Sequence, residues 1–163
     1  TAVYSSHLAR SIETAEAITE RHGLPAIQDP AFAEICHGEW EGLTVEEVEE
    51  RFPDQVRLRR KAPEKLTMPG GESLAAVRER ALGALARLRA AHQGESLVIV
   101  AHDAPLKMIL LDALGLGPEA FWRLRISSSG LSEIEEHGAE RRIIRINDTA
   151  HVGKTPLPPH RAL

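Results

Sequence analysis

Two periodicities alternate along the chain. Ala2-Val3-Tyr4 is a short apolar run that reads as a strand. It leads into a helical pattern over 8–21, with Leu8, Ile12, Ala15 and Ile18 on one face and Gly23 to close it. Over 44–51 a short acidic helix is predicted: Thr44 and Glu47 form a capping box, Val48 and Phe52 are its apolar contacts, and Pro53 stops it. A long helix over 73–92 is apolar at Leu74, Val77, Ala81, Ala84, Leu85 and Leu88, and Gly94 ends it. Leu97-Val98-Ile99-Val100-Ala101 is a continuous, largely β-branched run, too short for a helix of its own. It predicts a strand buried on both faces, hence a central parallel strand. Asp103 as N-cap and Pro105 near N1 start another helix, apolar at Leu106, Ile109, Leu110 and Ala113 and ended by Gly115. Finally, 131–135 and 142–146 alternate with period two around His137-Gly138, a predicted hairpin. The order predicts an α/β fold, a three-layer α/β/α sandwich with a mostly parallel central sheet. The domain runs over 1–150. A tail over 151–163, with Pro156, Pro158 and Pro159, is expected to fray.

Composition narrows the function classes. The 163 residues suffice to bury a core without disulfides. A net charge of −4 and only 4% aromatic residues argue against nucleic acid as a partner, whether bound through basicity or through base stacking. The single cysteine, Cys36, cannot form an internal disulfide, so a reduced, cytoplasmic setting is expected. No apolar run reaches the length of a membrane span and no signal-peptide pattern opens the chain, so no membrane role is expected. The eight histidines show no metal-ligand spacing, and nucleotide loops and zinc-protease helices are absent. No metal and no other cofactor is expected.

Four segments carry candidate chemistry. His102 stands at the C-terminal end of the predicted buried strand, where a helix begins. Ligands of open α/β sheets bind there, and a helix N-terminus suits an anion such as phosphate. Position alone fits a surface loop histidine equally well. Tyr4-Ser5-Ser6-His7-Leu8-Ala9-Arg10 is a second strand end running into a helix. Arg10 in a first helical turn opposes the helix dipole, a cost that a bound anion reverses, and guanidinium is a preferred phosphate partner. The acidic, glycine-bearing stretch from Asp29 to Gly42 lacks regular periodicity, as functional loops often do. Glu34, Glu39 and Glu41 are its candidate general acids, and local physics does not choose among them. Met68-Pro69-Gly70-Gly71-Glu72-Ser73 is either a plain loop capped by Ser73 or a turn holding amides toward a ligand.

In order, these segments resemble the histidine phosphatase superfamily, of phosphoglycerate-mutase-like fold. The resemblance runs through Ser5-Ser6-His7-Leu8-Ala9-Arg10, Phe32-Ala33-Glu34 with Gly38-Glu39-Trp40-Glu41-Gly42, Pro69-Gly70-Gly71-Glu72-Ser73 and Val98-Ile99-Val100-Ala101-His102. Asn147-Asp148-Thr149-Ala150-His151 also looks familial. The resemblance implies phosphoryl transfer through a phosphohistidine. Arg10 would bind the phosphate, and His102 would hydrogen-bond the phosphoryl oxygens. The Asp103 amide would add a donor, and Glu34 would be the general acid. Trp40 and Glu41 would shape the loop. The family's Arg-His-Gly, which carries the nucleophile after a first strand, has no counterpart ahead of Thr1. Arg21-His22-Gly23 sits at a helix end and reads as a C-cap instead. The nucleophilic segment is therefore expected upstream of Thr1 in a parent protein, and residues 1–163 alone are expected to be inactive. His7 and Asp103 stand where proline and glycine are usual.

The implied activity is a metal-independent phosphomonoesterase acting on a small phosphorylated substrate. The short stretch between Trp40 and Pro69 is phosphatase-like. The alternatives are a phosphoglycerate mutase and a non-catalytic phosphate-ligand-binding remnant. Selectivity is expected from the 34–42 loop, the 44–68 lid and the upstream segment.

Overall fold

The computed structural model describes residues 1–138 and 140–153. The tail expected to fray lies outside the described residues from 154 onward. The elements are β1 (Ala2–Ser5), α1 (Ala9–Thr19), β2 (Ala26–Gln28), α2 (Val45–Arg51), α3 (Pro53–Lys61), α4 (Leu74–Ala91), β3 (Leu97–Val100), α5 (Asp103–Ala113), β4 (Leu131–His137) and β5 (Glu140–Asp148). Short 3-10 turns lie between them, the longest over Pro118–Arg123.

A parallel sheet ordered β2-β1-β3 forms the middle layer. Helix α1 packs on all three strands, and its fully buried Ala15 lets it approach closely. On the opposite face, Tyr4 and Ile99 join Ala81, Ala84, Leu85 and Leu88 of α4 and Ile109 of α5 in one apolar cluster. The α/β/α layering is therefore as expected. A second cluster ties α2 and α3 to α4 and α5 through Trp40, Val48, Val56, Met68, Met108 and Phe121. No helix among the described residues is long and apolar enough to cross a membrane.

Three local readings are corrected. The run at 97–100 is not buried on both faces: its residues are half-buried, and among the described residues β3 pairs with β1 alone, in the order β2-β1-β3. On its far side the hairpin β4–β5 forms a sheet of its own. The hairpin is held by Ile134 against the β3 cluster and by Arg141–Asp112 (2.8 Å) and Arg89–Glu136 ion pairs. Pro53 both ends α2 and begins α3, since proline suits the first helical position. The residue between the helices, Phe52, leaves helical geometry at φ −131°, ψ 47°. The cap of α5 is His102, with Asp103 already inside the helix. The Asp103 carboxylate turns instead to Lys107 Nζ, 2.9 Å away one turn on.

Candidate active site

Strands β1 and β3 lie side by side in parallel, with Ser5 opposite Val100. Each hands its carboxyl end to a helix, so the N-termini of α1 and α5 converge on one crevice. Ser6 closes the corner through its amide to Val100 O (3.1 Å).

Three side chains meet in this corner. Arg10 Nη2 is 3.0 Å from His102 Nδ1, and Ser6 Oγ is 2.6 Å from His102 Nε2. A guanidinium only donates, so Nδ1 accepts, and Nε2 carries the ring proton and donates it to Ser6. His102 is thus a neutral imidazole. Burial pushes its pKa below 6.5, the Arg10, Arg80 and His7 charges push the same way, and Glu34 opposes them. The same tautomer leaves Ser6 without a general base, which excludes a serine–histidine nucleophile pair in this arrangement.

Of the three candidate acids, Glu34 is the one whose carboxylate reaches the N-terminus of α5. Its carboxylate accepts from the amides of Asp103 and Ala104 (3.1 Å each), the free first amides of α5, and from its neighbour Ile35 (2.9 Å). The Asp103 N–H, expected to meet a phosphate, meets Glu34 here. Glu41 accepts locally from the His37 amide. Trp40 is buried beside Phe52 and braces the loop.

Behind Glu34 and Asp103 lie two buried cations that the sequence reading did not single out. Lys107 is fully buried and Arg59 is 3% exposed, and both lie over Phe121, at 4.3 and 4.7 Å from its ring centroid. Burial pushes the Arg59 guanidinium down to about 10, against the pull of Asp103 and Glu34, so it is charged at neutral pH. Together they flank Phe121 from α3 and α5 and set positive charge behind the acidic corner. His37 is also held below 6.5, by burial first and by Arg59 second.

Arg80 was likewise missed, and Glu72, part of the glycine-rich candidate segment, was given no role of its own. Arg80 binds both Glu72 oxygens (Nε–Oε1 2.8 Å, Nη2–Oε2 3.0 Å) and the carbonyls of Ala31, Ala33 and Glu34 (2.8, 2.7 and 3.2 Å). The glycine-rich turn serves the same loop. A Cβ on Gly71 would lie 2.4 Å from Cys36 O, and one on Gly38 2.1 Å from Pro69 O. The amides of Glu72 and Glu39 donate to Cys36 O and Pro69 O across that contact, 2.9 Å each. The turn is therefore a backbone-to-backbone joint rather than a ligand cradle.

Arg10, His102 and Glu34 converge at one crevice, and His7, Arg10, Glu34, His37 and Arg80 line an open cleft of about 590 Å³. His22 does not join them. It follows the far end of α1, whose eleven residues span roughly 16 Å from the crevice. There it donates its amide to Thr19 O, and Gly23 adopts φ +64°. Among the described residues, no group of three or more His, Cys, Asp or Glu side chains is arranged to hold a metal ion.

The sequence pattern of the histidine phosphatase superfamily (branch 1) matches residues 1–149. Phosphoserine phosphatase 1 of Hydrogenobacter thermophilus is 36% identical over 163 residues, covering 99% of this chain and 76% of that protein. The uncharacterized phosphatase PhoE of Bacillus subtilis is 31% identical over 150 residues, covering 92% of this chain and 72% of its own. The solved structure of Bacillus stearothermophilus YhfR superposes with a TM-score of 0.87 at 28% identity, covering 93% of this chain and 75% of that one. With crevice, fold and sequence pattern in agreement, the chain belongs to the histidine phosphatase superfamily, branch 1.

Proposed function

We propose that this protein is a phosphomonoesterase of small phosphorylated metabolites that works through a phosphohistidine, with its nucleophilic histidine outside residues 1–163. The observation that carries the reading is the joined corner of Arg10, His102 and Glu34 at the N-terminus of α5.

The phosphate dianion takes Arg10 and the α5 amides, displacing the Glu34 carboxylate, which picks up a proton from solvent, toward the leaving group. Arg10 neutralises ground-state charge, and His102, freed from Arg10, takes a proton from solvent at Nδ1 beside the dianion and donates it as a hydrogen bond to an equatorial oxygen as charge builds there, while its Nε2–H stays on Ser6. The nucleophilic imidazole forms the N–P bond while the bond from phosphorus to the leaving oxygen breaks, and Glu34 gives that oxygen a proton. Water then attacks the phosphohistidine, the N–P bond breaks, inorganic phosphate leaves, and Glu34 takes the proton from water. Arginine and helix-end charge carry the dianion, so no metal and no other cofactor is assigned to any step. The substrate is a small metabolite in the cytoplasm rather than a nucleic acid or a membrane.

The placement of the nucleophile rests on three supports. Both ring nitrogens of His102 are engaged, and His22 lies beyond the far end of α1. The free edge of β3 is half-buried beside the corner and suits one more parallel strand.

Two measurements test the reading. Residues 1–163 alone should release no phosphate from a phosphomonoester. A chain extended upstream through the next apolar strand should do so and trap an acid-labile phosphohistidine. Turnover or a burst of phosphohistidine on residues 1–163 alone would overturn the placement. With 3-phosphoglycerate, the extended chain should release inorganic phosphate, and predominance of 2-phosphoglycerate would make it a mutase.

A further inference from the structure

We infer that Arg80, acting through Glu72 and the backbone around Glu34, is the positioning residue that gives the general acid its aim. This rests on the reading of Glu34 as proton donor. The 29–42 loop has no strand partner, so its carbonyls need hydrogen bonds from elsewhere. Arg80 supplies them at Ala31, Ala33 and Glu34 itself. Its remaining N–H bonds go to Glu72, whose Oε2 also receives the Cys36 amide at 2.9 Å.

The backbone is thus tied on both sides of Glu34, two residues apart, to one guanidinium–carboxylate pair anchored on α4. Phe32, fully buried in the cluster below, fixes the loop's depth. What remains free at Glu34 is its side chain, which reaches the α5 amides from a fixed Cα.

The fork geometry is required. All five guanidinium N–H bonds are engaged, in two directions: three carbonyls on one loop and a carboxylate on another. A lysine has three donors radiating from one atom and cannot span both. Full engagement also argues against Arg80 as a phosphate ligand, although it lines the cleft. Its charge reaches the site at a distance, where it helps to hold His102 neutral. A misplacement of about 1 Å costs roughly 100-fold in a positioned reaction, within the ~100- to 10,000-fold that a general acid contributes.

The test compares two esters in the full-length enzyme: a nitrophenyl phosphate, whose leaving group departs without a proton, and an alkyl phosphate, which needs one. Arg80→Met should lower kcat for the alkyl ester about 30-fold more than for the nitrophenyl ester, with the two KM values changing in parallel. Added to Glu34→Gln, it should cost the alkyl ester almost nothing further, because the two act as a unit. Arg80→Lys and Glu72→Gln should show the same bias at smaller size. They carry the test if Arg80→Met loses its cooperative thermal melt.

Equal loss on both esters, or an additive double variant, overturns the inference and makes Arg80 a structural or phosphate-binding group. If Glu34→Gln itself shows no bias between the esters, the acid reading fails and takes this inference with it. Bias in Glu34→Gln without bias in Arg80→Met or Arg80→Lys removes the inference alone.

Discussion

Arg10 and His102 stand just past the ends of hydrogen-bonded parallel strands, whereas Glu34 stands on a loop with no strand beneath it. The two halves meet at the N-terminus of α5, where Glu34 touches the amides next to His102. On the strand side, position comes from the sheet: the β1–β3 register alone brings Ser6, Arg10 and His102 within hydrogen-bonding distance. On the loop side, position comes from side chains and from close backbone contact: the Arg80–Glu72 pair, buried Phe32, and the Gly38–Gly71 joint. A functional group can thus be held by main-chain pairing or by a network of side-chain donors, and the two supports should fail differently.

The largest effect should come from the strand side. Arg10→Ala and His102→Ala should each lower kcat/KM by about 100- to 1,000-fold in the full-length enzyme, for nitrophenyl and alkyl esters alike. In the proposed mechanism both groups act on the phosphoryl oxygens, which the two esters share. A loss confined to the alkyl ester would move His102 into the role of acid.

Next in size is the proposed acid. Glu34→Gln should cost an alkyl ester about 100-fold in kcat and a nitrophenyl ester far less. Steady-state rates on the pair decide this, and equal losses would place Glu34 on the phosphate side of the comparison.

The loop's backbone joint should show in stability. Gly38→Ala adds a Cβ 2.1 Å from Pro69 O at φ +57°, whereas Gly94→Ala meets nothing within 4 Å at φ +74°. Urea unfolding should show a loss of about 3 kcal/mol at Gly38 and about 1 kcal/mol at Gly94. Equal losses would mean that backbone conformation alone, without the joint, sets the cost.

The smallest effect is a pH dependence shared between the halves. His102 on the strand side and His37 on the loop side both titrate below 6.5 in the folded chain. As pH falls through about 6.5, the unfolded chain binds protons first. Stability that is full above that value therefore declines toward the folded-state pKa values. The urea midpoint should be lower at pH 5.5 than at 7.5. His102→Gln and His37→Gln should each flatten part of the slope, and an unchanged slope in both would contradict the assigned shifts.

What could be read from the sequence follows the same division. Strand-to-helix hand-overs leave local marks: an apolar run, a capping residue, a helical stripe. Hence β1, α1, α4, β3 and α5 were legible, whereas the joining of Arg10 and His102 in one site came from the family resemblance. Glu34 could be named as acid only through the family resemblance, because its partners lie 69 and 70 positions away in the chain. Arg80 left no mark at all. On α4 it resembles any other polar position of an amphipathic helix, and its work is done on carbonyls 46 to 49 residues earlier. The only available signal was a negative one: a long loop without periodicity must find donors for its carbonyls somewhere. The 97–100 run likewise left its strand neighbours unread: among the described residues it pairs with β1 alone. Side-chain composition reports burial on the faces, but not how many neighbours a strand has along its edges.

The proton on Nε2 of His102 has a spectroscopic consequence. With Nδ1 bare and accepting from Arg10, the ring's two nitrogens should resonate far apart in a nitrogen-15 spectrum, one pyridine-like and one pyrrole-like. An oxyanion that draws Arg10 away would strip Nδ1 of its donor while the bond to Ser6 stays in place. As Nδ1 takes up the proton that faces the oxyanion, the pyridine-like line should move toward the pyrrole-like one, and the Nε2 line far less. A single histidine thus supplies an internal gauge of site occupancy, legible before any bond to phosphorus is made or broken.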